Sequence, residues 1–175
     1  MRPMKVTKAT IPENSKILNF FPADYSDTFV CTIDADDNPL TATELQVSFW
    51  TIKPKWIQWL FDLRNILVKP FGLKSGNEDQ EQFIKCIREG GECGMTSVPH
   101  SSPTETILCL NDKHLKAYLS VYLTDSKNGK RDIYCTTLVQ YHNTLGKAYF
   151  FVISPFHMIV VKRMIKFILE KHANK

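Results

Sequence analysis

Three consecutive residues, Asp112, Lys113 and His114, form the group with the most obvious potential for chemistry. Histidine titrates near neutral pH, so His114 could act as a base or as a hydrogen-bond donor to a ligand. The alternative is a turn between two strands, in which Asp112 binds the backbone, Lys113 faces water and His114 orients the hairpin. A single histidine does not define a mechanism, so the triplet alone predicts no reaction.

Arg64 stands in an otherwise apolar stripe of a predicted helix that begins at Pro54. The guanidinium fork matches a carboxylate or a phosphate, so this residue could hold an acidic group of a ligand. A structural ion pair with Asp24, Asp27 or Asp62 is the alternative, and the sequence leaves both open.

Three further residues complete the predicted ligand-binding set. Tyr118 belongs to a polar-aromatic strand face that borders either a cavity or solvent. Trp56 offers a large apolar surface with one donor, so it either lines a pocket or fills the core. His157 follows Pro155 and either meets a ligand or bonds the backbone that the proline frees. The predicted ligand-binding residues are therefore Arg64, His114, Tyr118, Trp56 and His157.

The five histidines do not follow the spacing of a metal site. No HxH, HExxH or CxxC motif occurs, so metal ligands would have to come from distant strands. The chain also has no GxSxG elbow, no P-loop and no GxGxxG fingerprint. The sequence predicts no metal and no cofactor, and it assigns no catalytic residue.

Composition indicates one globular domain over residues 1–175, since 43% of the residues are hydrophobic and 23% are charged. The net charge of +4 is mild, and basic residues are scattered among acidic ones, so no nucleic-acid partner is predicted. Five cysteines form no CxxC pair, and three of them lie in apolar strand-like runs. We expect a reduced, cytoplasmic protein.

No segment is expected to cross a membrane. No uncharged run is longer than that from Ala148 to Val161, which has 14 residues, whereas a spanning helix needs about 20. The amino-terminal residues have no apolar core of the signal-peptide type.

The first part of the chain alternates strand and helix signals. Asp27 to Ile33 is rich in β-branched and aromatic residues and predicts a strand. Thr41 and Glu44 have the spacing of a capping box, which predicts a helix that ends before Pro54. A second helix follows Pro54, and Glu81 to Glu89 predicts a third, short one.

Strand signals dominate from Gly94 onward. Leu115 to Thr124 alternates strictly between apolar and polar residues, and Asn128-Gly129 is a strong hairpin signal. Apolar residues then recur at helical period from Leu145 to Lys171, which predicts a long helix with a kink or break at Pro155. Periodicity also allows residues 147–153 to be a strand, but we expect helix.

This order of elements is that of the helix-grip architecture. Four blocks carry a closer resemblance, namely ADYSDTF from Ala23, PKWIQWLFDLRNILVKPFGLK from Pro54, NDKHL from Asn111 and YHNTLGKAYFFVISPFHMIVV from Tyr141. The chain resembles the family called domain of unknown function 2867, which is grouped with the Bet v 1 and START-like proteins. It departs from the family at Asn111, where an acidic residue is more usual, which weakens any scheme that needs paired carboxylates there.

The resemblance implies an α+β fold in which a curved antiparallel sheet wraps a long C-terminal helix, with two short helices after the first strand. It also implies a cavity between the sheet and that helix, but no reaction. We therefore expect a module that binds a small apolar or amphipathic molecule.

Two other functions stay open. A cyclase- or isomerase-like enzyme could use the same cavity, with His114 as acid, Arg64 as anion clamp and Tyr118 as hydroxyl donor. A peripheral membrane or protein-interaction element is the third hypothesis, because basic residues adjoin apolar ones near the carboxyl end. These are Lys162, Arg163, Lys166 and Lys171. A homodimer also remains possible on the sequence alone.

Overall fold

The part of the chain that the structure describes contains seven β-strands. It also contains three α-helices, each of ten residues or more. The structure is a computed structural model, and it describes residues 4–35, 40–52, 54–58 and 80–173. The strands are β1 (Thr7–Lys8), β2 (Tyr25–Asp34), β3 (Gly91–Cys93), β4 (Thr96–Ser101), β5 (Glu105–Asn111), β6 (Leu115–Leu123) and β7 (Lys130–Tyr141). The helices are α1 (Ala42–Thr51), α2 (Gln80–Glu89) and α3 (Thr144–Ala173), with a 3-10 helix at Lys16–Phe20.

All seven strands join in one antiparallel sheet of order β1-β2-β7-β6-β5-β4-β3. The predicted hairpin between β6 and β7 is confirmed, because Asn128 and Gly129 have φ angles of 52° and 70°. Positive φ at both positions gives the turn whose twist matches the flanking strands. This sheet and the long terminal helix confirm the predicted α+β, helix-grip fold class.

Local sequence signals predicted α1 and α2, whereas the predicted helix after Pro54 lies outside the described residues beyond residue 58. The Thr41 hydroxyl accepts a hydrogen bond from the Glu44 amide at 3.2 Å, as the capping spacing predicts. Helix α1 ends at Thr51, before Pro54, whose ring nitrogen cannot donate to a helix. The 3-10 helix and the short strands β1 and β3 carried no sequence signal strong enough to be predicted.

The predicted long helix with a kink or break at Pro155 is one continuous helix, α3, so the alternative of a break is wrong. Residues 147–153 are helical, as expected. Proline removes the bond that its nitrogen would give to the Phe151 carbonyl. The Ser154 hydroxyl donates to that carbonyl instead, at 3.3 Å, and so satisfies the freed acceptor.

One face of the sheet, which we call the helical face, is covered by helices. Helix α3 lies over β2 and β7, while α1 lies over β5 and β6. The main core forms beneath them from Phe29, Val121 and Cys135 on the strands and Ile165 and Ile168 on α3. Each of these side chains is buried. The helical face therefore carries most of the apolar burial that stabilises the fold.

The opposite face, the outer face, is covered by the amino-terminal segment. Ile17 of the 3-10 helix packs there against Ile107, Cys109 and Leu138. The Glu105 carboxylate fixes this segment, because it accepts bonds from the Ser15 hydroxyl at 2.6 Å, the Lys16 amide at 2.7 Å and the Ser120 hydroxyl at 2.8 Å. The sheet thus has a second apolar layer that its alternating sequence did not predict.

Candidate functional site

Four polar side chains meet between the helical face and α3, and we call them the Asp27 cluster. They are Tyr25, Asp27, Thr137 and His157. The Tyr25 hydroxyl donates to Asp27 Oδ2 at 2.8 Å. His157 Nε2 lies 3.1 Å from Thr137 Oγ1 and 3.5 Å from Asp27 Oδ2. Two hydrogen-bonded pairs, Tyr25–Asp27 and His157–Thr137, thus meet in the place where a helix-grip cavity is expected.

Strand alternation and register bring these residues together. Tyr25 and Asp27 are two apart on β2, so both project from the same face. Antiparallel pairing sets Asp27 directly opposite Thr137 on β7. Helix α3 crosses these two strands and brings His157 down onto them. The cluster therefore depends on three elements that are far apart in sequence.

Asp27 is the most buried member of the cluster. Its side chain is 1% exposed, while that of His157 is 17% exposed. Its second oxygen, Oδ1, is buried and has no hydrogen-bond partner among the described residues. Removing a carboxylate from water without full compensation costs free energy. Among the described residues, Oδ1 is consequently an acceptor without a donor.

Tyr25 is held in its protonated form. Burial raises the pKa of its hydroxyl above the ordinary value, and the hydrogen bond and negative charge of Asp27 add to this effect. The hydroxyl thus remains a donor at neutral pH. The buried Phe150 packs against both rings of the cluster. Its ring centre lies 4.7 Å from that of Tyr25 and 6.0 Å from that of His157. An apolar ring therefore shields one side of the cluster from water.

Apolar side chains that are only half-buried continue from the cluster along the helical face. They are Leu110 on β5 and Ala117 and Leu119 on β6. Leu119 pairs with Thr137 of the cluster across β6 and β7. These residues lie on β5 and β6, over which α1 lies, and β6 adjoins β7, over which α3 lies. Polar and apolar groups thus adjoin in one region.

Two pockets formed by described residues lie elsewhere. One, of about 320 Å³, is lined by residues that include His100, Glu105 and Tyr122. The other, of about 280 Å³, is lined by Cys86 and Cys93 among others. Neither thiol is part of a disulfide among the described residues. Neither pocket is bordered by a residue of the Asp27 cluster.

Comparison with known proteins supplies the family. A family model described as "Protein of unknown function (DUF2867)" matches residues 21–164, a span that contains the whole cluster. The chain belongs to this family. Comparison with curated proteins found no significant relative. Among solved structures, CalU16 from Micromonospora echinospora aligns over 98% of this chain and 93% of its own, at 10% identity and a TM-score of 0.30, a likeness too weak to support an argument.

In this DUF2867 chain, one of the five predicted ligand-binding residues lies in the cluster, namely His157. Tyr118, another of the five, lies on the outer face and not in the cluster. Its side chain is 6% exposed and packs on the outer face against Phe20, with ring centres 4.5 Å apart. The amino-terminal segment covers this face, and the sequence analysis did not predict that layer.

His114 forms part of the turn before β6. Its backbone carbonyl accepts a hydrogen bond from the backbone N–H of His142 at 2.9 Å. Its ring nitrogen Nδ1 lies 3.2 Å from the side-chain Nδ2 of Asn143. His114 and Tyr118 therefore have separate neighbours, and the described residues do not assemble the acid and hydroxyl pair of the proposed cyclase. The third member, Arg64, lies outside the described residues.

Trp56 belongs to the edge of the main core. It is half-buried and packs against that core, with the Arg163 guanidinium carbon 5.6 Å from its ring centre. The structure therefore separates it from the cluster. Within the described ranges, no group of three or more histidine, cysteine or acidic residues is arranged to hold a metal ion. Nor is any helix there both long and apolar enough to cross a membrane.

Sequence reasoning missed three of the four cluster residues in this DUF2867 chain. Asp27 was considered only as a partner of Arg64, and Tyr25 and Thr137 were not singled out. One signal was available, because Tyr25 and Asp27 share a face of a strand whose next residues on that face, Phe29 and Cys31, are core. An acid in such a series predicts a buried carboxylate.

Proposed function

We propose that this protein binds an amphipathic small molecule on the helical face, with its polar end at the Asp27 cluster. The apolar part would run along Leu110, Ala117 and Leu119, which are half-buried beside the cluster. The observation that carries this proposal is the buried Asp27 Oδ1, an acceptor with no partner among the described residues. Sites for small molecules commonly combine an apolar lining with a few fixed polar groups.

The cluster selects the chemistry of the polar end. A carboxylate oxygen accepts hydrogen bonds, so it favours a hydroxyl, an amide N–H or an ammonium group. A ligand carboxylate or phosphate would meet a like charge in a poorly solvated place, which is unfavourable. The expected ligand is accordingly an apolar molecule with a hydrogen-bond donor at one end.

A cyclase- or isomerase-like reaction at the same place is a second candidate. It is favoured by the 3.5 Å approach of His157 Nε2 to Asp27 Oδ2, because a carboxylate and an imidazole so placed can share the work of moving a proton. In this version the base comes from the cluster, and Tyr118 has no part.

Binding of matched long-chain compounds tests the proposal. Isothermal calorimetry would compare an alkyl alcohol, an alkyl amine and an alkyl carboxylate of equal length. We expect the alcohol and the amine to bind, and the carboxylate to bind at least about tenfold more weakly, a difference of about 1.4 kcal/mol.

Two variants make the test specific to the cluster. Asp27→Asn should weaken amine binding by at least about tenfold. The matched control is Asp34→Asn, at an exposed position of the same strand, and it should bind like the unmodified protein. Failure of all three compounds to bind, or equal affinities of Asp27→Asn and the unmodified protein, would overturn the proposal.

A further inference from the structure

The solvent side of α3 is apolar over its first half. Phe151 is 80% exposed, Val152 56%, Phe156 53% and Ile159 50%. At 3.6 residues per turn these positions fall on one side of the helix. Single exposed apolar residues are normal, but a continuous stripe of large ones indicates an interaction surface.

The same side of α3 becomes cationic over the next two turns. Lys162, Arg163 and Lys166 are exposed and continue the stripe along the helix. Lys166 forms an ion pair with Glu170 at 3.7 Å, but both side chains are about half exposed, so the pair contributes little and leaves the charge accessible. Apolar and basic halves thus follow each other on one surface, which we call the α3 stripe.

Two of these basic side chains, Lys162 and Arg163, contact aromatic rings. Lys162 Nζ lies 5.1 Å from the Phe29 ring centre, and the Arg163 guanidinium carbon lies 5.6 Å from the Trp56 ring centre. The charged ends therefore lie over aromatic rings at the edge of the core, while both side chains remain exposed. Such side chains are suited to the boundary between an apolar layer and anionic groups.

We propose that the α3 stripe docks on an anionic lipid surface. The phenylalanines would enter the boundary between headgroups and acyl chains, and the basic half would meet the lipid phosphates. Charge complementarity favours this partner over a second copy of the chain. A second copy would bring the same cations to the contact, whereas an anionic bilayer offers opposite charge under the whole cationic half.

This inference does not rest on the proposed function. His157 lies on the sheet side of α3, where it contacts Thr137, while the stripe faces solvent. The two surfaces share no residue. A lipid surface could therefore bind whether or not the Asp27 cluster holds a ligand.

Vesicle co-sedimentation tests the proposal with the full chain. We expect binding to mixed phosphatidylcholine–phosphatidylglycerol vesicles, weaker binding to phosphatidylcholine alone, and a decrease as salt is raised. The double variant Phe151→Ser/Phe156→Ser should bind at least about tenfold more weakly. Leu18→Ser is the matched apolar control, since Leu18 is 39% exposed on a different surface, and its binding should not change.

The basic half needs its own control. Lys166→Gln should reduce binding to anionic vesicles and flatten the salt dependence. Lys85→Gln on α2 should not, although Lys85 forms a comparable exposed pair with Glu89. Absence of vesicle binding, or equal binding by the phenylalanine double variant, would overturn the proposal. Loss of a dimer in that variant, with no lipid binding by the unmodified protein, would assign the stripe to a second copy instead.

Discussion

Asp27→Asn should stabilise the protein while it weakens ligand binding. The carboxylate is 1% exposed, and only one of its oxygens has a partner among the described residues. The variant keeps an acceptor for the Tyr25 hydroxyl but removes the cost of burying a charge. We expect the free energy of unfolding to rise by about 1 kcal/mol, because functional sites often carry groups that reduce stability.

Urea denaturation monitored by far-ultraviolet circular dichroism measures this change. A gain of about 1 kcal/mol should also raise Tm by roughly 2–4 °C for a chain of this size. Asp34→Asn, at an exposed position of the same strand, should change the free energy by less than about 0.5 kcal/mol. A loss of about 1 kcal/mol or more in Asp27→Asn would refute the reasoning, since it would make the charge a structural one.

Three further perturbations test the elements around the site. Gly146→Ala should cost about 3 kcal/mol in urea denaturation, because the new Cβ would overlap the His114 carbonyl, a backbone group that cannot move aside cheaply; a cost below about 0.5 kcal/mol would contradict this. Glu105→Ala should cost about 3 kcal/mol or more by removing the acceptor of three hydrogen bonds, two of them buried, whereas Glu13→Ala, at an exposed position, should cost little. Since the folded pKa of Tyr25 is raised, its contribution to stability is complete below the unfolded pKa and is lost above about pH 10. Tyr25→Phe should therefore reduce the alkaline loss of stability in pH-dependent denaturation, and an unchanged profile would count against the burial of this hydroxyl.

The sequence predicted those elements whose signals are local. The Thr41 cap, the Asn128-Gly129 turn and the terminal helix each depend on residues within a few positions of one another. The absence of a break at Pro155 was not predictable, because a neighbouring serine bonds the carbonyl that lacks its usual donor, a detail that periodicity does not contain. The outer layer was missed because it is held by Glu105, some ninety residues from Ser15.

The candidate site was harder to predict for the same reason. His157 was singled out from its own type and its place beside a proline, but its partners come from β2 and β7. Asp27 gains its significance only from burial and from the register that sets it opposite Thr137. Neither is visible in a single sequence, which records strand alternation but not which strands pair.

The structure of the protein with a bound long-chain amine would test the central claim most directly. The account predicts the ammonium group at about 2.7–2.9 Å from Asp27 Oδ1, with the alkyl chain along Leu119 and its half-buried neighbours. An amine bound elsewhere, with Asp27 Oδ1 occupied by a group of the protein itself, would contradict it.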